Sequence, residues 1–320
     1  MAYVAGDTIL DDEYNAFVNN SSSPFGYNHI AGTGSLNYGL GQTEITTVSP
    51  GNTINASQWN SLFTGLDNIA NHTNQSTFVG RAVSAGDNIN IASAIATDLS
   101  TLATAVAAGS TGATAKTTSS ALQTVTTGSE GWDNTAFQEV SVSFSNANQM
   151  RWFFNAGGKV RITVGATAAS TSAKDTAFVG LGNATGNLDI GSQSTTRSGS
   201  GHTTTTNGLA NGFYDLGTGY TTLLLLTQSS YAAYNANTLK IEAKLDAAPG
   251  SATKIFVKMT ASDAAADTQF TSGNTSSIPV GIKDTPKMVT TLFTINPTTA
   301  EGLSVVYTPS TTATEQNGTT

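Results

Sequence analysis

The chain has 320 residues, of which 38% are hydrophobic and only 11% charged, with a formal net charge of −8 and a pI near 4.7. Ordinary soluble domains carry about 25% charged residues, whereas this chain uses Thr, Ser, Asn, Gly and Ala instead. The acidic balance and the lack of Lys/Arg clusters argue against a nucleic-acid ligand. Without cysteine, disulfides, thiolate metal sites and cysteine nucleophiles are excluded. The longest apolar run, Leu223 to Leu226, is far below the roughly 18 residues of a membrane span, so no membrane insertion is expected.

The N-terminal region contains a repeat. Gly6 to Asn15 matches Gly51 to Asn60 in its Gly, Thr, Ile, aromatic and Asn positions. A shorter third copy follows at Ala85 to Ile89. A valine precedes each copy, at Val4, Val48 and Val83.

Each copy is predicted to form a turn that leads into a helix. In the second copy Asn55 is a cap and Gln58 completes a capping box. That helix is predicted to end near Asn71 and His72, whereas the first helix is short and stops before Pro24. The apolar stripes comprise Tyr14, Phe17 and Val18 in the first copy and Trp59, Leu62, Phe63, Leu66 and Ile69 in the second.

Between these helices lies a Gly-rich loop, Asn28 to Gln42, which lacks the ending of a phosphate-binding loop. After the third copy, Ile95, Leu99, Leu102 and Val106 follow the spacing of a coiled-coil seam. Two interpretations stay open: a short bundle between subunits, or an amphipathic helix packed within its own chain.

From about Trp132 onward, hydrophobic and polar residues alternate as they do in half-buried strands. Strands are predicted around residues 140–144, 160–164, 239–245 and 255–259, and further at Met150 to Phe154, Thr221 to Gln228, Met288 to Ile295 and Leu303 to Tyr307. The predicted fold class is mainly β, with a C-terminal antiparallel β-sandwich or jelly-roll-like domain and a small N-terminal α-containing repeat module.

The predicted domain organisation has three parts. Residues 1–80 form the repeat module, which serves for docking and has two turn-helix units. Residues 81–128 form a short helix and an Ala/Ser/Thr-rich linker, and residues 129–320 form the β-sandwich with a C-terminal tail. The tail, Thr308 to Thr320, has no apolar period and is expected to become ordered only against a neighbour.

No motif predicts catalysis, so no enzymatic activity, cofactor or metal is expected. The three histidines are isolated, and Ser198 to His202 imitates a nucleophile elbow only in a Thr/Ser-rich loop. The acid pairs Glu130/Asp133 and Asp263/Asp267 are interpreted as solvated loop acids rather than glycosidase or calcium groups. Four tyrosines in predicted loops are candidates for a glycan or protein contact: Tyr214, Tyr220, Tyr231 and Tyr234.

The opening repeat and the segment Trp152 to Ile162 resemble a family of virion structural proteins of tailed phages that infect cyanobacteria. The resemblance rests on Gly6 to Asn15, Tyr38 to Thr43, Thr53 to Asn60, Phe153 to Gly158 and Ala265 to Thr268. It does not extend to the C-terminus. The resemblance implies membership of the virion without a position on the particle, and it carries over no catalytic residues.

The expected function is a non-enzymatic virion structural protein, tail-associated and fibre-like or baseplate-proximal, on the outer surface of a particle assembled in the host cytoplasm. The alternatives are a capsid decoration or head-fibre protein, and a receptor module that binds a host-surface glycan. Expected partners are copies of itself, with a trimer preferred by analogy, and other virion structural proteins. The docking or interface candidates are Tyr14, Phe17, Trp59, Leu62, Phe63, Leu66, Ile95, Leu99, Leu102 and Val106.

Overall fold

The computed structural model describes residues 11–76, 82–85, 92–111, 117–119, 123–126, 135–167, 173–205, 211–264 and 287–314. Parts of the sequence repeat, residues 6–10 and 86–89, lie outside these ranges. So does the resembling segment 265–268.

Four helices build the N-terminal module: α1 Asp11–Asn19, α2 Tyr27–Ile30, α3 Ala56–Thr73 and α4 Ala92–Ala107. The predicted capping box of α3 is confirmed, because the Asn55 side chain accepts from the Gln58 N–H and the Gln58 side chain accepts from the Asn55 N–H. Asn74 follows the helix in the left-handed conformation with φ 56° and closes it. The helix thus ends within two residues of its predicted end.

The apolar stripes of these helices share one hydrophobic cluster, as their spacing predicts. Tyr14 and Val18 of α1 are fully buried in it. Two residues from distant parts of the sequence, Ala156 and Leu303, also belong to this cluster. The helical module therefore packs against the later part of the chain.

The described strands form two antiparallel sheets. Their bounds are β1 Thr117–Thr118, β2 Gln123–Thr126, β3 Thr135–Ser143, β4 Lys159–Thr167, β5 Asn187–Ile190, β6 Thr195–Arg197, β7 Thr203–Thr205, β8 Thr221–Thr227, β9 Thr238–Leu245, β10 Lys254–Ser262, β11 Lys287–Asn296 and β12 Ser310–Thr314. The first sheet has the order β1-β11-β4-β5-β6, with β2 also paired to β11. The second sheet has the order β12-β3-β10-β9-β8-β7.

Both sheets contribute to a second hydrophobic cluster, which confirms the predicted antiparallel β-sandwich. Gln138 of β3 links the two sheets, since its Nε2 donates to the Met288 carbonyl at 2.9 Å and its Oε1 accepts from the Thr290 hydroxyl at 2.6 Å. Two further helices, α5 Ala147–Asn155 and α6 Ala173–Thr185, interrupt the strands in sequence. Helix α6 packs mainly on β4 and also touches β8 and β9 of the other sheet.

One predicted strand, Met150 to Phe154, is wrong, because these residues lie in α5. The Asn146 side chain caps this helix by accepting from the Gln149 N–H at 3.0 Å. Met150, Phe153 and Phe154 then follow a spacing of three and four and are buried. This helical spacing and cap outweigh the β-propensity of an aromatic run.

The predicted strand at Leu303 to Tyr307 is also wrong, since these residues form no strand. Leu303 is buried against the helical module, and the chain there bonds to a side chain rather than to a sheet. The predicted linker contains β1 and β2, and the predicted tail contains β12, which pairs with β3 of the same chain. Both segments thus find strand partners within the described chain.

Candidate functional site

The ten predicted interface residues lie together in the hydrophobic cluster of the helical module, and each is at most 8% exposed. These are Tyr14, Phe17, Trp59, Leu62, Phe63, Leu66, Ile95, Leu99, Leu102 and Val106. The seam residues of α4 therefore pack within their own chain. A contact of any of the ten with another subunit stays a prediction.

The repeat brings its two equivalent aromatic residues, Tyr14 and Trp59, into contact. Their rings pack edge to face, with centroids 5.1 Å apart and an interplanar angle of 76°. Phe63 stacks on Trp59 from the same helix, with centroids 5.9 Å apart. The repeated aromatic position is thus the centre of the module's core.

The repeat also places Asn15 and Asn60 at equivalent positions with equivalent bonds. The Asn15 Nδ2 donates to the Val48 carbonyl at 2.7 Å, and its Oδ1 accepts from the Val48 N–H at 2.8 Å. Asn60 makes the same pair of bonds with Val83, at 3.0 and 2.9 Å. We call this arrangement an asparagine clamp. Each copy of the repeat clamps the valine that precedes the next copy.

Arg151 of helix α5 holds the Gly-rich loop of the helical module. It is only 4% exposed. Its guanidinium donates to the carbonyl oxygens of Thr33 at 2.6 Å and Leu36 at 3.2 Å, and to that of Tyr38. Burial lowers the pKa of Arg151, while the neighbouring Tyr214 acts in the opposite direction. The guanidinium remains charged at physiological pH, so the carbonyl dipoles of the loop stabilise a buried cation.

Asn155 and Tyr214 complete these contacts. Asn155 Nδ2 donates to the carbonyl oxygens of Tyr38 and Gly39, each at 2.9 Å, and its Oδ1 accepts from the Tyr214 hydroxyl at 2.6 Å. Burial raises the pKa of Tyr214 well above its ordinary value, although Arg151 and Asn155 oppose this rise. The Trp152 Nε1 also donates to the Thr33 carbonyl at 3.2 Å. We call this set the joint: loop residues 33–41 with Arg151, Trp152, Asn155 and Tyr214.

Gln42, at the end of the same loop, forms hydrogen bonds with a segment near the C-terminus. Its Oε1 accepts from the Ser304 N–H at 2.7 Å, and its Nε2 donates to the Val305 carbonyl at 3.0 Å. Beside it, the Tyr307 hydroxyl donates to the Gly41 carbonyl at 3.0 Å. Because Gln42 is itself buried, these bonds hold residues 304 and 305 against the module, next to the buried Leu303.

The contacts of Arg151, Asn155 and Gln42 are not predicted by the local sequence. One signal was available: Arg151 is a cation in a charge-poor chain and stands among residues that are apolar or aromatic. A charged residue inside such a run requires specific partners when it is buried. The identity of those partners, more than a hundred positions away, had no signal in the local sequence.

The three histidines lie in different segments of the fold and are surrounded by residues of the chain itself. His29 stacks on Phe25 with ring centroids 4.4 Å apart, and burial together with the charge of Arg151 lowers its pKa. His202 Nδ1 accepts from the Ser229 N–H at 3.4 Å, and His72 is fully buried in α3. Among the described residues, no three His, Cys, Asp or Glu side chains are grouped so that they could hold a metal ion.

Of the four acids considered in the sequence, only Asp263 lies within the described residues. It forms a buried ion pair with Lys174 at the start of α6. Its interpretation as a solvated loop acid is therefore wrong, because the side chain is only 5% exposed and an ammonium partner compensates the charge. Glu130, Asp133 and Asp267 lie outside the described residues.

Two of the four candidate tyrosines are engaged in contacts within the chain. Tyr214 belongs to the joint. Tyr220 lies beneath two ammonium groups, with Lys258 Nζ 4.1 Å and Lys244 Nζ 4.5 Å from its ring centroid, and its hydroxyl donates to Glu139. Burial and the Glu139 carboxylate raise the pKa of Tyr220 above its ordinary value. The Tyr220 ring is therefore already in contact with lysine side chains of the second sheet.

Comparisons with protein-family models, with curated proteins and with solved structures found no match. No helix within the described ranges has the length and apolar character needed to span a membrane.

Proposed function

We propose that this chain is a non-enzymatic structural protein of a tailed-phage virion, associated with the tail in a fibre-like or baseplate-proximal position. One observation carries the proposal. The motif that includes Tyr38 and Gly39 and the motif that includes Asn155 belong to the resemblance, and they bond directly to each other. The residues that carry the resemblance therefore form one structural contact in this chain.

The chemistry of the joint supports a structural role. Arg151 donates to backbone carbonyl oxygens, and Asn155 is bonded on both its amide nitrogen and its oxygen. These strong polar groups are directed at the protein's own backbone rather than at an open pocket. Such buried and fully connected networks rigidify a fold and fix the relative position of its parts.

The composition supports assembly with neighbours. Only 11% of the residues are charged, so few ions need desolvation when polar Thr/Ser/Asn surfaces meet another subunit. The receptor alternative has less support, because Tyr214 and Tyr220 are occupied within the chain. The capsid alternative shares all of these features and differs in location and copy number.

The test is cryo-electron microscopy of the intact particle, combined with quantitative mass spectrometry of purified virions. We expect the fold of two antiparallel sheets and its helical module to fit density on the tail, with a copy number in the range of other tail components. Density over the capsid lattice, with hundreds of copies, would replace the tail assignment with the decoration role. Absence of the chain from purified particles would refute the virion proposal.

A receptor role is tested separately with purified protein and host glycan. We expect neither retention of the protein on immobilised glycan nor shortening of the polysaccharide. Saturable binding that is lost in a Tyr231→Ala/Tyr234→Ala double variant would instead favour the receptor module.

A further inference from the structure

A buried lysine and a buried aspartate meet where the two sheets come together. Lys174 lies in the first turn of α6, which packs mainly on β4 of the first sheet. Asp263 directly follows β10 of the second sheet. The Lys174 Nζ contacts Oδ2 of Asp263, and the two side chains are only 9% and 5% exposed. The contact therefore connects a helix on one sheet to a strand end of the other, away from bulk water.

The backbone near both partners is held by buried amide side chains. The Gln228 Nε2, directly after β8, donates to the Ala177 carbonyl of α6 at 2.7 Å. The Asn237 Oδ1 accepts at 3.1 Å from the N–H of Ala264, the residue that follows Asp263. Gln228 and Asn237 are at most 2% exposed. The amine and the carboxyl group are thus kept in contact, and such fixed proximity strongly accelerates a reaction between two groups.

The surroundings of the pair disfavour its charged form. Burial of an ammonium and a carboxylate removes their hydration, and one ion pair compensates this only in part. Asp263 Oδ1 is buried and has no hydrogen-bond partner among the described residues. By contrast, Lys240 and Lys258 share Glu242 on the second sheet, and their side chains are 37% and 26% exposed. Water can solvate those two ammonium groups, whereas the Lys174 ammonium is shielded.

We propose that Lys174 and Asp263 condense after folding into an amide that cross-links α6 to the end of β10. A lysine amine is a nucleophile once it has lost a proton. The Nζ forms a bond with Cγ of Asp263, and the bond between Cγ and Oδ2 breaks. The departing oxygen takes two of the three ammonium protons and leaves as water. The products are one neutral amide and one water molecule, so the reaction needs no oxidant, and Oδ1 remains as the amide carbonyl oxygen.

The cross-link would stabilise a chain that has no cysteine and therefore no disulfide. A covalent bond between residues far apart in sequence restricts the unfolded chain, and in the chain-entropy model this effect grows with the length of the closed loop. Unlike a disulfide, an amide is not broken by reducing agents. The inference goes beyond the proposed function, because it holds for any position of the protein on or off a particle.

The test is the intact mass of the full-length wild-type protein under denaturing conditions. We expect a mass that is lower than the sequence mass, counted with or without Met1, by one water molecule. After digestion with trypsin, tandem mass spectrometry should identify a branched peptide that joins Lys174 to Asp263, with no cleavage after Lys174. These two measurements need no variant, so they decide the inference even if a substitution at this site prevents folding.

Two variants assign the lost water to this pair. Lys174→Arg keeps a cation, but a guanidinium group is not deprotonated in proteins. It should therefore have its full sequence mass and melt several degrees below the wild type. Lys258→Arg is the matched control, because it makes the same change in the more exposed pair with Glu242. This control should still lose one water molecule and yield the branched peptide.

Two results would overturn the inference. A wild-type protein with its full sequence mass, both freshly purified and after prolonged incubation, would show that the pair stays ionic. Loss of water that persists in Lys174→Arg would place the dehydration elsewhere in the chain. Either result would leave the virion proposal unaffected, because microscopy and the composition of purified particles test that proposal independently.

Discussion

Asn155 donates from Nδ2 to the carbonyl oxygen of Gly39 at 2.9 Å, across 116 positions of sequence. This bond connects the helix that precedes β4 with the loop that joins α2 to α3. It is buried, so water cannot replace either partner if the other is lost. The joint is therefore the place where substitutions should affect both parts of the fold.

Arg151→Met should destabilise the protein by about 3 kcal/mol or more, because several buried carbonyl oxygens lose a charged donor. Urea unfolding followed by tryptophan fluorescence measures the change. Lys254→Met is the matched control, because it also replaces a cation by methionine but at an exposed position of β10. A substitution at such a surface position changes the free energy of unfolding by no more than about 0.5 kcal/mol. Equal effects of the two substitutions would contradict the role of the joint.

The asparagine clamps predict a specific response to charge. Asn60→Ala should lower the free energy of unfolding by about 1–2 kcal/mol, since the Val83 N–H and C=O lose their partner. Asn60→Asp should be at least as harmful, because a carboxylate oxygen then faces the Val83 carbonyl that Nδ2 contacts at 3.0 Å. Asn71→Ala in the same helix provides the baseline. If Asn60 only filled space, Asn60→Asp would keep the free energy of unfolding of the wild type, and this result would contradict the clamp.

The contact between Tyr14 and Trp59 predicts which side chains can replace Trp59 in the second repeat. Trp59→Ala should cost about 3–5 kcal/mol, as for other large-to-small changes in a core. Trp59→Tyr introduces the residue of the first repeat and should retain most of that stability. Asn71→Ala is the surface control, because Asn71 is exposed on the same helix and its loss should change the free energy by no more than about 0.5 kcal/mol. Thermal and urea unfolding provide the measurement.

Alkaline pH should destabilise the helical module through two buried tyrosines. Burial raises the pKa of Tyr14 and of Tyr27 from 10.0 to about 12. The unfolded chain releases these protons at lower pH than the folded chain, so the stabilisation is complete below about pH 10 and is lost as the pH rises through about 12. Tyr14→Phe/Tyr27→Phe should flatten the fall in unfolding free energy over this range.

As a control, Phe63→Leu should lower the unfolding free energy by the same amount at every pH, because neither side chain carries a titratable group. Absorbance at 295 nm in the native protein provides an independent measurement of tyrosine ionisation. Ionisation of both tyrosines near pH 10 without unfolding would contradict the burial argument.

The sequence predicted local features well where the local signal was complete. The capping box of Asn55 and Gln58 and the stripe at Tyr14, Phe17 and Val18 are confirmed, because caps and helical spacing depend on neighbours within a few positions. The run Met150 to Phe154 forms a helix rather than the predicted strand, because the Asn146 cap and the helical spacing of its buried residues outweigh the preference of aromatic residues for strands. Asp263 forms a buried ion pair rather than the predicted solvated loop acid, and its partner Lys174 is too distant in sequence for a local pattern to indicate the pair.

The sequence by itself determined the mainly-β class, the helical repeat and the residues that form the module's core, since periodicity specifies which side chains turn inward. Tertiary structure alone decided that Arg151 and Asn155 hold the Gly-rich loop and that Gln42 bonds Ser304. These outcomes depend on hydrogen bonds between segments far apart in the chain. A backbone carbonyl has the same chemistry at every position, so only folding selects which one a buried donor meets.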